Sequence, residues 1–142
     1  MKYSEIKQIK EFCEGVSIDW REVVISISNE EDDFEIDDYR FIREDSIDKI
    51  QQDELESDPC IFGFFNAGFI ADNTDLSYNI VIALQEAGKY EALGQHIIDN
   101  DYVEDMQLEY ARLDGYGHHF AHYDGQTLED LLEFGYYVFR VN

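Results

Sequence analysis

Three histidines lie close together near the end of the chain, at His118, His119 and His122. Histidines spaced i, i+4 on a helix or i, i+2 on a strand can bind one metal ion. We predict a strand here, in which His118 and His122 share one face and His119 points away. Glycines just before the group would break a helix, and no glutamate stands in an HExxH frame, so ring packing or solvent exposure is favoured. A metal-dependent enzyme that uses His118 and His122 remains a third functional hypothesis.

Carboxylates are the other groups that could do chemistry, with 33 Asp and Glu in 142 residues. At this frequency many pairs reach glycosidase separations by chance, so sequence spacing identifies no catalytic pair. The acidic clusters at 72–75 and 99–101 lack the glycine and glutamate of an EF-hand loop. The chain has no phosphate-binding loop, dinucleotide fingerprint or nucleophile elbow. We therefore predict a protein that is not an enzyme and has no cofactor or metal.

Two cysteines, Cys13 and Cys60, lie in apolar periodic segments and lack CxxC spacing. Reduced thiols in the core are the favoured interpretation, over a disulfide or a metal pair. The first residues lead directly into an amphipathic pattern rather than into a signal peptide, and no apolar run is long enough to span a bilayer. We expect a cytoplasmic protein, in the host cytoplasm if a phage encodes it.

The charge balance is the most unusual property of the sequence. The 10 Lys and Arg leave a net charge of −23 at pH 7. Without a basic patch, direct binding to nucleic acid or to an anionic membrane is excluded. The 15 Ile and the 20 Tyr and Phe supply more apolar mass than disordered chains carry, so the charge belongs to a folded surface. The length predicts a single acidic domain over residues 1–142.

Two segments hold most of this charge. Residues 30–58 carry a net charge of −11 and residues 91–133 carry −10, whereas the segment between them, residues 59–90, carries −2. The intervening segment is strongly apolar and must be core or interface. The charge is therefore organised along the chain.

Hydrophobic periodicity predicts an α+β fold, in which a small antiparallel sheet packs against helices. We predict strands near residues 22–28, 38–43, 118–123 and 135–141, and a helical middle at about 46–113. The first two strands should form a hairpin around a solvated acidic loop. A mostly helical bundle is the alternative.

One helix is predicted to follow Asp58, which would cap it, and Pro59, in its first turn. Its segment from Ile61 to Ile70 is apolar on nearly all sides, so it is either a central core helix or the seam of a homodimer. Gly63 and Gly68 would permit close approach of another helix.

The acids of the two charged segments are the candidate partner-binding residues. The alternative is that these acids only keep the protein soluble, but the net charge of −23 far exceeds the magnitude of about 2–8 that solubility needs. Aromatic residues also lie among the acids, as they do in interfaces, namely Phe34, Tyr39, Tyr102, Tyr110 and Tyr123. The candidates are Glu30, Glu31, Asp32, Asp33, Glu35, Asp37, Asp38, Glu44, Asp45, Asp99, Asp101, Glu104, Asp105 and Glu109.

In charge, size and mixing of acids with aromatics the chain resembles DNA-mimic inhibitors of phages and mobile elements, of the antirestriction and anti-CRISPR type. The resemblance lies in composition and in no alignable motif. It implies a non-enzymatic inhibitor whose carboxylates stand in for phosphates in the DNA- or RNA-binding groove of a host defence enzyme. The expected partner is a basic nucleic-acid-binding protein, such as a restriction, CRISPR or other nuclease complex.

The same acidity is also typical of two further classes of protein. An immunity or antitoxin-type protein that neutralises one basic nuclease or toxin also needs an acidic face, but a single acidic segment could suffice. Adaptation to high salt produces acidic proteins without any partner.

Overall fold

A computed structural model describes all 142 residues and confirms the α+β class, with a three-stranded antiparallel sheet and nine α-helices. The chain forms two compact units, residues 1–47 with 114–142 (unit 1) and residues 48–113 (unit 2). The expectation of one acidic domain over residues 1–142 stays a prediction. The elements are α1 (Tyr3–Gly15), α2 (Trp20–Ser28), β1 (Asp33–Ile36), β2 (Tyr39–Arg43), α3 (Ile47–Glu56), α4 (Pro59–Gly63), α5 (Ala67–Asn73), α6 (Tyr78–Glu86), α7 (Tyr90–Asp99), α8 (Val103–Asp114), α9 (Tyr116–Phe120) and β3 (Tyr136–Arg140).

The strand expected at residues 22–28 is wrong, because this segment is helix α2. The Asp19 side chain caps the helix by accepting a hydrogen bond from the backbone N–H of Arg21 at 3.1 Å. Val23 and Ile27, four residues apart, are buried, whereas Ile25 is 61% exposed. Burial along one helical face therefore outweighs the strand propensity of the β-branched residues.

The hairpin forms between β1 and β2, so its first strand lies inside the segment that we expected to be a solvated loop. Phe34 and Ile36 alternate with Asp33 and Glu35, and this alternation defines an apolar face within the acidic run. Phe34 stacks on Phe41 of β2 with ring centroids 4.8 Å apart. These two apolar residues are enough to hold β1 in the sheet, because they pack into the same core as the apolar face of β2.

The strands expected at 38–43 and 135–141 are confirmed as β2 and β3, and the sheet order is β1-β2-β3. One sheet face contributes Phe41, Tyr136 and Val138 to a core with α1 and α2. The Tyr136 hydroxyl donates a hydrogen bond to the Glu31 carbonyl at 2.6 Å, which fixes the chain just before β1.

The strand expected at 118–123 is also wrong, because residues 116–120 form helix α9. Gly117 lies so close to the backbone of Gly125 that an added Cβ would be 2.3 Å from its carbonyl oxygen. Phe120 is fully buried against Phe139, at a centroid distance of 5.1 Å. The close contact at Gly117 and the buried Phe120 side chain stabilise this helical turn. Neither contact can be read from the alternation of apolar residues that predicted a strand.

Unit 2 confirms the helical middle of the chain, with α4 to α7 and nearly all of α3 and α8. Its core contains Leu55, Phe62, Ile70, Ile97 and Met106. Asp58 caps α4 and Pro59 is its first residue, as predicted.

The long apolar helix predicted after Pro59 is instead two short helices, α4 and α5, separated by residues 64–66. The Gln85 side chain donates hydrogen bonds to the Gly63 carbonyl at 3.0 Å and the Phe65 carbonyl at 2.8 Å. Asn66 then caps α5 through the N–H groups of Gly68 and Phe69. The break is stabilised because the Gln85 and Asn66 side chains hydrogen-bond to four backbone groups that neither helix pairs internally.

Helices α4 and α7 are in backbone contact. A Cβ on Gly63 would lie 2.1 Å from the Tyr90 carbonyl oxygen, and one on Gly94 would lie 1.6 Å from the Pro59 carbonyl oxygen. Gly63 thus permits the close approach expected of it, whereas Gly68 meets only the Asn66 side chain. Phe62, Ala67 and Ile70 of this segment belong to the core, whereas Ile61 and Phe64 are exposed, and the homodimer stays a prediction.

Candidate partner-binding surfaces

The acids of residues 30–38 surround strand β1 in unit 1. Asp33 and Glu35 point to the face opposite Phe34 and Ile36, and all the acids of this segment are exposed. The hairpin register places Glu35 opposite Arg40 and leaves Asp37 and Asp38 as the two turn residues. The hairpin thus places Asp33 and Glu35 on one face of the sheet and Asp37 and Asp38 at its turn.

Arg40 neutralises one of these acids. Its Nε and one terminal nitrogen donate to the two Asp33 carboxylate oxygens at 2.8 and 2.7 Å, and its guanidinium lies over the Phe120 ring at 5.1 Å. Bidentate, partly shielded pairs of this kind are stronger and more fixed than ordinary surface pairs. Asp33 therefore has a structural partner, although it is one of the predicted site residues.

Arg43 has a similar role at the other end of β2. Its guanidinium lies 3.8 Å from Asp32 and 3.9 Å from Asp45, and the Ser46 hydroxyl donates to Asp32 at 2.8 Å. These are longer and more exposed contacts, so they hold the carboxylates weakly. Asp32 and Asp45 are partly compensated as a result.

Three predicted site residues have positive backbone φ angles: Glu30 at 53°, Asp37 at 55° and Asp101 at 62°. Aspartate tolerates this left-handed region better than most residues, whereas for glutamate it is strained by about 1 kcal/mol. Glu30 lies directly after α2, where glycine or asparagine is the favoured residue. Stability alone therefore does not explain the carboxylate at this position.

Four of the five predicted site acids of unit 2, namely Asp99, Asp101, Glu104 and Asp105, lie where α7 ends and α8 begins. Asp99 is the last residue of α7 and accepts a hydrogen bond from Gln95 at 2.8 Å. Glu104 and Asp105 are exposed in the first turn of α8, where the helix dipole favours negative charge. Asp101 projects from the connection between the helices.

Glu109 is the half-buried member of this group. Arg112 donates to it through Nε at 3.0 Å and through a second nitrogen, and this hydrogen bonding lowers the pKa of Glu109. Asp72, Asp105 and Leu108 line the same open depression, of about 490 Å³. Because one arginine faces three carboxylates here, the depression remains anionic.

Eight of the fourteen predicted carboxylates therefore have neither a basic partner nor a protein hydrogen-bond donor at the side chain. The other six are Asp32, Asp33, Asp37, Asp45, Asp99 and Glu109, and Asp37 accepts only the Asp19 N–H at 3.3 Å. The eight are Glu30, Glu31, Glu35, Asp38, Glu44, Asp101, Glu104 and Asp105.

Most of the aromatic residues interleaved with the acids belong to the interior instead of the surface. Tyr110 is 8% exposed, and Phe34 and Tyr39 pack against the core of unit 1. Tyr123 alone is largely exposed, and the Arg140 guanidinium covers its ring at 3.8 Å. The acidic surfaces are thus polar, without the aromatic anchors that we expected.

A surface of different character, not anticipated from the sequence, lies on α1 and α2. The Trp20 ring has cations near it, with Lys10 Nζ 5.3 Å and Arg21 4.8 Å from its centroid. Tyr3 and Lys7 line the adjoining groove. Four of the ten basic residues lie in residues 1–29, and their clustering was the available clue.

The histidines are distributed differently from our expectation. His118 and His119 lie in α9 and His122 lies beyond its end, so they do not line one strand face. His119 packs edge-on against Phe120. No group of three or more His, Cys, Asp or Glu side chains is arranged to hold a metal ion.

A separate histidine in unit 2 forms a polar constellation that the sequence did not suggest. His96 Nε2 lies 2.9 Å from Asp75 Oδ1, and the Asn100 amide lies 3.3 Å from His96 Nδ1. The hydrogen bond from His96 lowers the pKa of Asp75. This arrangement joins the segment just before α6 to α7, and the Tyr102 side chain also hydrogen-bonds to Asp75.

Both cysteines are free. Cys13 is fully buried, and burial together with Asp19 and Glu14 raises the pKa of its thiol to about 12. Cys60 is half-buried, and burial and Asp58 raise its pKa as well. Both thiols are therefore protonated at neutral pH.

Neither family models, curated proteins nor solved structures give a match to this chain. No helix combines the length and apolar character that crossing a bilayer requires.

Proposed function

We propose that the protein is a non-enzymatic inhibitor that presents carboxylates in place of nucleic-acid phosphates and blocks the basic groove of a DNA- or RNA-binding host defence enzyme. The observation that carries the proposal is the set of eight exposed carboxylates without partners. Such groups retain their full charge for a cationic groove, whereas carboxylates paired within the protein would first have to exchange partners.

Both units contribute to the acidity. Unit 1 contains 19 acids and seven bases, a net charge of −12, and unit 2 contains 14 acids and three bases, a net charge of −11. The charge far exceeds what solubility requires, and self-repulsion opposes folding. A protein that occupies a cationic nucleic-acid groove needs many uncompensated negative charges, and this need would account for charge that otherwise opposes folding.

The test is displacement of a fluorescent DNA duplex from purified restriction and guide-loaded CRISPR nucleases. The variants each remove three charges by Glu→Gln or Asp→Asn substitution: Glu30, Glu31 and Glu35 in one, Asp101, Glu104 and Asp105 in another. A matched control changes the exposed Glu129, Asp130 and Glu133. A mimic of extended nucleic acid loses affinity with either test set and much less with the control.

The same experiment separates the alternative. If only one test set matters, the protein blocks one local site, as an immunity-type partner would. If all three sets are equivalent, or if wild-type protein displaces DNA from none of the enzymes, the proposal is wrong.

A further inference from the structure

The two edge strands of the sheet, β3 and β1, differ in how far their outward-facing backbone groups are hydrogen-bonded within the chain. Four of the six outward-facing backbone groups of β3 are paired within the chain: Val138 exchanges hydrogen bonds with Leu128, Tyr136 N–H donates to Leu131, and the Arg140 carbonyl accepts from Tyr123. This edge of the sheet is therefore covered by the chain itself along most of its length.

Strand β1 forms the other edge, and it is open. The Arg43 N–H donates to the Asp32 carbonyl at 2.8 Å, and this bond fixes which residues of β1 face β2. Asp33 and Glu35 then direct their N–H and C=O groups away from the sheet, and these four groups have no partner in the chain. Both residues are exposed, and no strand of the sheet pairs with this side of β1.

We infer that the open edge of β1 is a docking site for an extended, basic segment of the target protein, which adds to the sheet as a fourth strand. For its choice of partner the inference rests on the proposed function. Edge strands recruit extended segments through backbone hydrogen bonds, and side chains on alternate positions select the partner.

Charge identifies the occupant. Residues 30–38 contain seven acids and no base, and Glu35 is unpartnered on β1 itself. A strand with Lys or Arg at alternate positions would place its cations beside Glu35 and the flanking acids. A second copy of β1 would bring seven acids against seven, and like charges on paired strands repel.

The probe is the synthetic peptide Lys-Val-Lys-Val-Lys-Val, with Lys-Pro-Lys-Pro-Lys-Pro as a control of equal charge that cannot add as a strand. NMR of the full chain should show at least about tenfold slower hydrogen exchange at the Asp33 and Glu35 amides with the first peptide, and no slowing with the second. Equal binding of both peptides, or slowing confined to other residues, would overturn the inference.

Variants give an independent measure. The Glu35 N–H faces outward, so Glu35→Pro removes a docking donor and keeps the hydrogen bonds to β2. It should weaken binding of the valine peptide about tenfold beyond the effect of Glu35→Gln. Glu133→Gln, which removes an exposed charge elsewhere in unit 1, should have little effect.

The outcomes separate this inference from the proposed function. Amide protection without DNA displacement would leave the docking edge intact and refute the groove-blocking role. DNA displacement with equal binding of both peptides would support the groove-blocking role and refute the docking edge. Self-association of the wild type that Glu35→Pro abolishes would assign the edge to a second copy and overturn the inference.

Discussion

At the scale of single residues, the structure distinguishes carboxylates that have structural partners from those that remain available to a partner protein. Asp33 is engaged by Arg40, whereas Glu35, opposite Arg40 in the hairpin register, has no protein donor at its side chain. Composition cannot make this distinction, because it depends on strand register and on which basic side chains fall within reach.

Glu30 provides a test in which stability and binding change in opposite directions. Glu30→Gly relieves the strain of a positive φ, and the gain is partly offset by the flexibility of glycine in the unfolded chain. We expect the free energy of unfolding to rise by about 0.5 kcal/mol, and DNA displacement to weaken. Glu31→Gly is the matched control, since Glu31 has no positive φ, and it should lower both; urea denaturation measures the stability.

The buried cysteine gives a second prediction at this scale. Because burial raises its pKa to about 12, the Cys13 thiol stays protonated at pH 8, and it is also inaccessible. Ellman's reagent should therefore detect at most the Cys60 thiol in the native protein and both thiols in denaturant. Rapid labelling of both in the native state, with Cys13→Ser as the reference, would contradict the burial of Cys13 on α1.

At the scale of elements, the contact between α4 and α7 is the feature most sensitive to mutation. Gly94→Ala would place a methyl group 1.6 Å from the Pro59 carbonyl oxygen, so the helices must separate. We expect a loss of at least about 3 kcal/mol in the free energy of unfolding. Gly15→Ala, which meets no atom within 4 Å, should cost little. Similar unfolding midpoints for the two variants would contradict this packing.

Sequence patterns predicted elements well where the local pattern agreed with tertiary packing. Strands β2 and β3 were found because both are short segments rich in aromatic and β-branched residues, and their strand propensity agrees with their packing in the sheet. Helix α2 was missed because Val23, Val24, Ile25 and Ile27 have strand propensity, and only burial on one helical face reveals the helix. Strand β1 was missed because its acids outnumber Phe34 and Ile36, whose packing depends on β2.

The candidate site was predictable in part for the same reason. Acid-rich segments and their net charge can be counted in the sequence, and ionised side chains are rarely buried. All fourteen predicted carboxylates are accordingly exposed or half-buried. The pairing of Asp33 with Arg40 and the burial of Tyr110 depend on long-range contacts. The open edge of β1 could not be anticipated without the sheet order.

At the scale of the whole molecule, the charge of −23 makes ionic strength the decisive variable. Salt screens repulsion among the acids, so raising NaCl from about 50 to 500 mM should increase the melting temperature by several degrees. Circular dichroism should still show the folded protein at 50 mM salt. A chain that folds only in molar salt would instead indicate that its acidity is an adaptation to high salt.

The most direct test of the central claim is the salt dependence of inhibition. The affinity of the protein for a nuclease from which it displaces DNA should be measured between about 50 and 200 mM NaCl, with folding monitored in parallel. If carboxylates replace phosphates, several charge contacts form together and the affinity should fall by orders of magnitude over this range. An affinity that is unchanged by salt would contradict nucleic-acid mimicry.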